Sequence, residues 1–248
     1  MKYFYIFFFF FIQTILVSCS STTGADDFDW LKKTPDDSQL SSTQKEITQN
    51  NAELLAFRDL YSQDSTFINI PAQAIDFYYN ALAVILNSDA GKNQEIIQEL
   101  RVFDYRNLHG IIAQPNSQAP FLEAWKDSVI LTGLNEVDNI LVENDFAISK
   151  IYDWSHNDER TLTFVLDTDT AVNTLRITQL LEETSYFLYA EINGMVGDGG
   201  DIIFQKKDMY YEVTFIHSYG DCPSGCIRHD EYSFKLDQNG NVEYMGEI

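Results

Sequence analysis

The stretch SVILTGLNEVDNILVENDFAISKIYDWSHNDERTLTFVLDTDTAVNTLRITQLLEETSYFLYAEIN, residues 128–193, decides the fold reading. Ser128 to Thr132 reads as a strand. Asn135 to Glu143 reads as a helix, with Val137, Ile140 and Leu141 on one face. Phe146 to Trp154 and Thr161 to Leu166 alternate as half-buried strands do, and Ser155-His156-Asn157-Asp158 joins them as a hairpin loop. Ala171 to Glu183 reads as a second helix, with Leu175, Leu180 and Leu181 among its apolar positions, and Tyr186 to Ile192 as a last strand. The order is β-α-β-β-α-β.

That order is the ferredoxin-like arrangement. The stretch resembles the propeptide-inhibitor domains of subtilisin-like proteases, whose last strand reads close to Tyr-Ala-Glu-Pro-Asn. This chain has Tyr189-Ala190-Glu191-Ile192-Asn193, with Ile192 in place of the usual Pro. The resemblance implies a protease-inhibitory role, although one fold hosts many functions.

Upstream, Ile47, Leu54 and Tyr61 recur seven apart, with Leu55 and Leu60 widening the stripe, so Ser41 to Tyr61 is expected to be helical. Pro71 is expected to open a second helix, whose face carries Ile75, Tyr78, Tyr79, Leu82, Ile85 and Leu86. Ile96 to Phe103 and Leu108 to Ala113 read as short strands, Pro115 to Pro120 as a loop, and Phe121 to Lys126 as a helical turn carrying Trp125. Downstream of Gly197-Asp198-Gly199-Gly200-Asp201, a flexible turn in this reading, come strands at Asp201 to Phe204, Met209 to His217, Asp230 to Leu236 and Val242 to Met245. Asp237-Gln238-Asn239-Gly240-Asn241 is the hairpin turn before the last of them. The expected class is α+β, with N-terminal helices, a ferredoxin-like unit and a C-terminal β-hairpin extension carrying one disulfide. The divisions are a signal peptide at 1–18, a lipidated tether at 19–40, a helical and mixed region at 41–127, the ferredoxin-like unit at 128–193 and the extension at 194–248.

Three cysteines place the chain. Lys2 precedes an apolar stretch that includes Phe7 to Phe11, as in an export signal, and Leu16-Val17-Ser18-Cys19 follows. The segment is too short and too interrupted, by Gln13 and Thr14, to span a bilayer, which takes about 20 apolar residues. The Leu16–Cys19 tetrad resembles the lipobox of bacterial lipoproteins. The resemblance implies acylation of the Cys19 thiol, with palmitate among the acyl groups, cleavage before Cys19, and anchoring by acyl chains that each contribute about 0.8 kcal/mol per buried CH₂. Ser20 after the cysteine implies sorting to the outer membrane, on its periplasmic or cell-surface face. The acidic run up to Asp29 resembles the surface-export signal of Bacteroidota lipoproteins and reads equally well as a solvated tether. The C-terminal Gly220-Asp221-Cys222-Pro223-Ser224-Gly225-Cys226 resembles a motif of uncharacterised bacterial lipoproteins and secreted proteins.

In an oxidising compartment a disulfide is the default for Cys222 and Cys226. The alternative is zinc, with His217 and His229 completing four N and S ligands. Strand parity opposes that set, because His217 shares a face with Tyr211, Val213 and Phe215, whereas Tyr232, Phe234 and Leu236 leave His229 on the other side. No cofactor is expected. Asp237, Asn239 and Asn241 alternate as in a calcium loop, but Val242 stands where an EF-hand needs Gly. Neither Gly-x-Ser-x-Gly nor His-Glu-x-x-His occurs. The histidines at 109, 156, 217 and 229 show no distinctive spacing, and with 38 acidic residues no carboxylate pair stands out. Trp125, Trp154 and Tyr186 fit core packing better than a sugar or peptide groove.

The net charge is −22. Loss of residues 1–18 takes away Lys2 alone and leaves −23. Such a surface repels nucleic acid and disfavours lying flat on anionic lipid. The expectation is therefore a lipid-anchored envelope protein without catalysis, acting as a binding or interaction module with an envelope protein partner. A subtilisin-like protease inhibitor is the second reading, and an envelope enzyme without a recognisable motif the third. Cys19→Ala should leave the chain uncleaved or release it from the membrane fraction; fractionation as an acylated membrane protein would exclude the anchor. Reduction of the mature chain should raise its mass by two hydrogens if Cys222 and Cys226 are joined.

Overall fold

A computed structural model describes Phe28 and residues 30–154, 162–194, 199–220 and 226–247. Cys19, the export segment, His156 and Cys222 lie outside these residues, and with Cys222 so does the expected pairing to Cys226. Among the described residues the chain is α+β, with seven α-helices and two four-stranded antiparallel sheets.

Helix α1 (Ser42–Gln63) starts at a capping box. The Ser41 hydroxyl accepts from the Gln44 amide, and the Gln44 side chain accepts from the Ser41 amide, so two otherwise unpaired donors are satisfied. Helix α2 (Ala72–Asn87) follows, with Pro71 as its cap rather than its first residue. Two short helices, α3 (Asp89–Lys92) and α4 (Glu95–Gln98), lead into an irregular connector, residues 99–109. The strand expected at Ile96 to Phe103 is therefore replaced by α4 and a single bridge from Val102 to Gly200.

The first sheet contains β1 (Gly110–Pro115), β2 (Ala147–Asp153), β3 (Leu162–Asp167) and β4 (Phe187–Ile192), in the order β2-β3-β1-β4. Helices α5 (Leu122–Lys126) and α6 (Asn135–Leu141) lie between β1 and β2, and α7 (Thr174–Glu183) between β3 and β4. Ile111, Ala113, Phe164, Leu166 and Ala190 face these helices and form one core with Trp125, Val137, Leu141, Ile177 and Leu181.

Ser128 to Thr132 is not the first strand. Ser128 has φ of 59°, and the amides of Val129 and Thr132 bond to the Ala124 carbonyl and the Asp138 carboxylate, so none of these donors joins a ladder. The segment instead wraps Trp125, whose indole N–H donates to the Ile130 carbonyl at 3.1 Å. The β1 role falls to Gly110–Pro115, so the unit expected to begin at residue 128 draws its first strand from the region assigned to 41–127.

The second sheet is a meander of β5 (Asp201–Lys206), β6 (Tyr210–Tyr219), β7 (Arg228–Asp237) and β8 (Val242–Glu247). It is not an appendage of the first. Val213, Phe215, Phe234 and Leu236 share a core with Phe57, Phe77, Leu82 and Ile85 of α1 and α2, so the N-terminal helices and the C-terminal strands make one layered unit. Trp30 packs edge-on against Tyr211, and the Lys32 amide bonds to the Gln238 carbonyl. Part of the segment expected as a tether, Phe28 and Trp30 to Leu40, thus lies against this unit. In the hairpin turn, the Asp237 carboxylate accepts from the amides of Asn239 and Asn241 and from the Asn241 side chain. Gly240 supplies the required positive φ of 76°.

The two cores meet at Asn173. It is fully buried, its side-chain oxygen caps α7 through the Arg176 amide, and its side-chain nitrogen donates to the Ser65 and Phe67 carbonyls of the α1–α2 loop. Asn173→Ala removes a helix cap and the donor of two part-buried bonds to the Ser65 and Phe67 carbonyls, so it should cost about 2 kcal/mol. Denaturant titration of the two forms measures the difference.

Candidate functional site

A groove of about 520 Å³ lies between α1 and the connector. Ile47, Asn50, Asn51 and Leu54 fall at i, i+3, i+4 and i+7 on α1, so helical geometry puts all four on one face. Connector residues from Arg101 to His109 line it as well, together with Asn193 and Gly199. The volume falls in the range of small-molecule sites, about 300–1,000 Å³.

The connector is held by Asn51. This buried side chain donates to the Leu100 carbonyl and accepts from the Val102 amide, both at 2.8 Å. Asn51 thereby satisfies backbone groups of a segment with no ladder of its own. Gly199 and Gly200 fit against it by lacking side chains. A Cβ on Gly199 would lie 2.3 Å from the Phe103 Cβ, and one on Gly200 2.8 Å from the Leu100 Cγ. The described part of the glycine run is therefore a close-packed contact rather than the flexible turn expected.

Two charged clusters line or back the groove. Asp104, with its side chain 3% exposed, accepts from Arg58 at 3.0 Å and from the Arg106 Nε at 2.7 Å. Burial pushes the Asp104 carboxyl up, but its hydrogen bonds to Arg106 and Arg58 outweigh that and hold it below the usual carboxylate range. The Arg106 guanidinium also lies over the Phe57 ring, 5.0 Å from its centroid.

The second cluster is His109 with Glu53. The His109 Nε2 lies 2.7 Å from one Glu53 oxygen, and the Gln49 side chain donates to the other at 2.8 Å. The His109 Nδ1 lies 3.2 Å from the Thr168 carbonyl. Both partners of the ring are acceptors, an arrangement that favours the doubly protonated imidazolium. The hydrogen bond to Glu53 raises the His109 pKa against the opposing effect of burial, and the Thr168 carbonyl and Asp169 add to the rise. In that form the ring has no free lone pair with which to accept a proton. Among the described residues the lining contains no Ser, Thr, Cys, Lys or Tyr to act as a nucleophile.

Sequence reasoning passed over this pair. His109 and Glu53 are 56 residues apart, and only the docking of α1 on the connector brings them together. The residues singled out from the sequence lie elsewhere. In the second sheet His217 pairs across from Asp230, and His229 from Ser218, so the two histidines alternate to opposite faces and do not converge on one ion. The Ser218 hydroxyl is 2.8 Å from the His229 Nδ1. Trp125 is fully buried and Tyr186 packs against the same core. Trp154 is exposed and stacks on Tyr152. Among the described residues no group of three or more His, Cys, Asp or Glu side chains is arranged to hold a metal, and no helix is long and apolar enough to cross a membrane. Compared with protein-family models, curated proteins and solved structures, the chain matches none.

The His109 linkage has a definite sign. The folded pKa is raised above the ordinary value of 6.5, so the pair's stabilisation is complete below pH 6.5 and is lost as pH rises through the folded value. Stability measured by denaturant titration should therefore decline across that window. His109→Gln should remove that part of the decline.

Proposed function

We propose that this chain is a lipid-anchored protein of the bacterial envelope that binds a ligand in the α1–connector groove without catalysing a reaction. The observation that carries the reading is a preformed groove in which, among the described residues, both nitrogens of His109 face acceptors, both carboxylates are paired with cations, and no Ser, Thr, Cys, Lys or Tyr lines the walls. The anchor rests on the Leu16–Cys19 tetrad and the apolar segment before it. Eight residues lie between Cys19 and Phe28, so the nine steps from one to the other reach at most about 30 Å and the folded part would stay close to the bilayer. A disulfide between Cys222 and Cys226 fits the same compartment.

The first sheet is read as a ferredoxin-like unit starting at Gly110 rather than Ser128. Its strand order and uniformly antiparallel neighbours support that reading. The inhibitor reading has less support. Tyr189 to Ile192 lie in β4, an edge strand, but the Asn193 amide is bonded to the Gly110 carbonyl and Gly200 is already bonded to Arg101 and Phe103. The chain after the strand is thus tied back into the fold, whereas an inhibitory tail needs to enter a protease cleft.

Purification of the protein from its native envelope, followed by denaturation and mass spectrometry of released small molecules, tests the reading. Asn50→Trp fills the groove from an exposed position on α1. A compound released by the parent and not by this variant is the expected result; equal small-molecule content in both would remove the groove as the binding site. Cross-linking in intact cells should in addition recover an envelope protein as partner, and recovery of a subtilisin-like protease would restore the inhibitor reading.

A further inference from the structure

The groove's polar groups divide into those already engaged and those left over. Asn51 and Asn107 bond to backbone, Glu53 to His109 and Gln49, and Asp104 to Arg58 and Arg106. Three lining side chains have no hydrogen bond or ion pair among the described residues: Asn50 and Arg101, both exposed, and Asn193. Two of the three are neutral amides, and the third is a full positive charge.

The charges of the lining sum in the same direction. Three basic side chains (Arg101, Arg106 and His109) face two carboxylates (Glu53 and Asp104). Each carboxylate is paired with a cation of the groove, so the excess charge sits on Arg101. A guanidinium unpaired among the described residues, in a concavity of a chain of net charge −22, runs against the field of the whole molecule. Beside it are the apolar side chains of Ile47, Leu54 and Phe103, the last of these 36% exposed.

We propose that the groove takes an amphipathic organic anion, its acid group on the Arg101 guanidinium and its apolar body against Ile47, Leu54 and Phe103. The guanidinium offers a planar fork of donors that matches a carboxylate, sulfonate or phosphate group. Asn50 and Asn193 add amide donors and acceptors for a second polar group on the ligand. The overall negative charge repels such an anion at long range, so the site selects at contact and not by steering.

This inference rests on the groove being the binding site, and the experiment separates the two. The probes are 1-anilinonaphthalene-8-sulfonate and N-phenyl-1-naphthylamine, which share an aromatic body and differ by the sulfonate. Their fluorescence is titrated on a chain of residues 20–248, which retains every described residue. The sulfonate should bind with one-to-one stoichiometry and about tenfold more tightly than the neutral probe, the size of one charge-assisted hydrogen bond. Arg101→Gln should weaken the sulfonate by about that factor and leave the neutral probe within about twofold, and Arg101→Lys should recover part of the difference. Asn50→Trp should displace both probes. Equal affinities for the two probes, or a preference that survives Arg101→Gln, would overturn the anion specificity while leaving the groove intact. Binding of both probes unchanged by Asn50→Trp would overturn the groove itself.

Discussion

The fold depends on a polar contact, the side chain of Asn51 against the backbone of the connector. Helix α1 buries Thr48, Asn51 and Glu53 along with its apolar residues, so its inward face is not a simple hydrophobic stripe. Each of these groups has to be matched, because an unmatched buried polar group costs about 1–3 kcal/mol. The Thr48 hydroxyl bonds back to the Gln44 carbonyl within the helix, whereas Asn51 and Glu53 find their long-range partners in the connector. The connector cannot satisfy its own backbone either, having neither helix nor ladder over most of its length. Each segment completes the other, and this fixes where the helix lies.

From that contact the rest of the arrangement follows. Once α1 is set on the connector, Glu53 meets His109 at the entrance to β1, and Arg58 reaches Asp104 and the start of β5 at Asp201. One helix therefore touches the entrance of both sheets. The α1–α2 loop makes the second junction, through Asn173. The two apolar cores stay separate, one between α1, α2 and the second sheet and the other between α5 to α7 and the first. What joins them is largely a set of hydrogen bonds and ion pairs, and the groove is the gap left along that polar seam. A gap bounded by polar groups with fixed partners is suited to binding, since those partners restrict its side chains before a ligand arrives.

Much of the fold was legible from periodicity. Helices α1 and α2, the hairpin strands of the second sheet and the Asp237–Asn241 turn fall close to where spacing and turn residues put them, because their signals are local. The element order of the first sheet was legible too, but its first strand was not. Ser128 to Thr132 carries an apolar run that suits a strand, yet Asp138 and the helical turn around Trp125 take its backbone amides. The Gly110–Pro115 strand was expected in part, at Leu108 to Ala113, without being joined to the sheet it begins.

The sequence by itself determined the α+β class, the helices and strands with strong local periodicity, the strongly acidic charge and the separation of His217 from His229 by strand parity. These depend on residue type and on spacings of two to seven residues, which need no knowledge of distant segments. The tertiary structure alone decided that the first and last parts of the chain share a core and that Gly110–Pro115 leads the first sheet. It alone decided that Glu53 holds His109 and that the Arg101 side chain is left without a partner among the described residues at the groove. The reason is physical. Those outcomes are set by which buried polar group finds which partner across 50 or more residues, and no local pattern encodes that pairing.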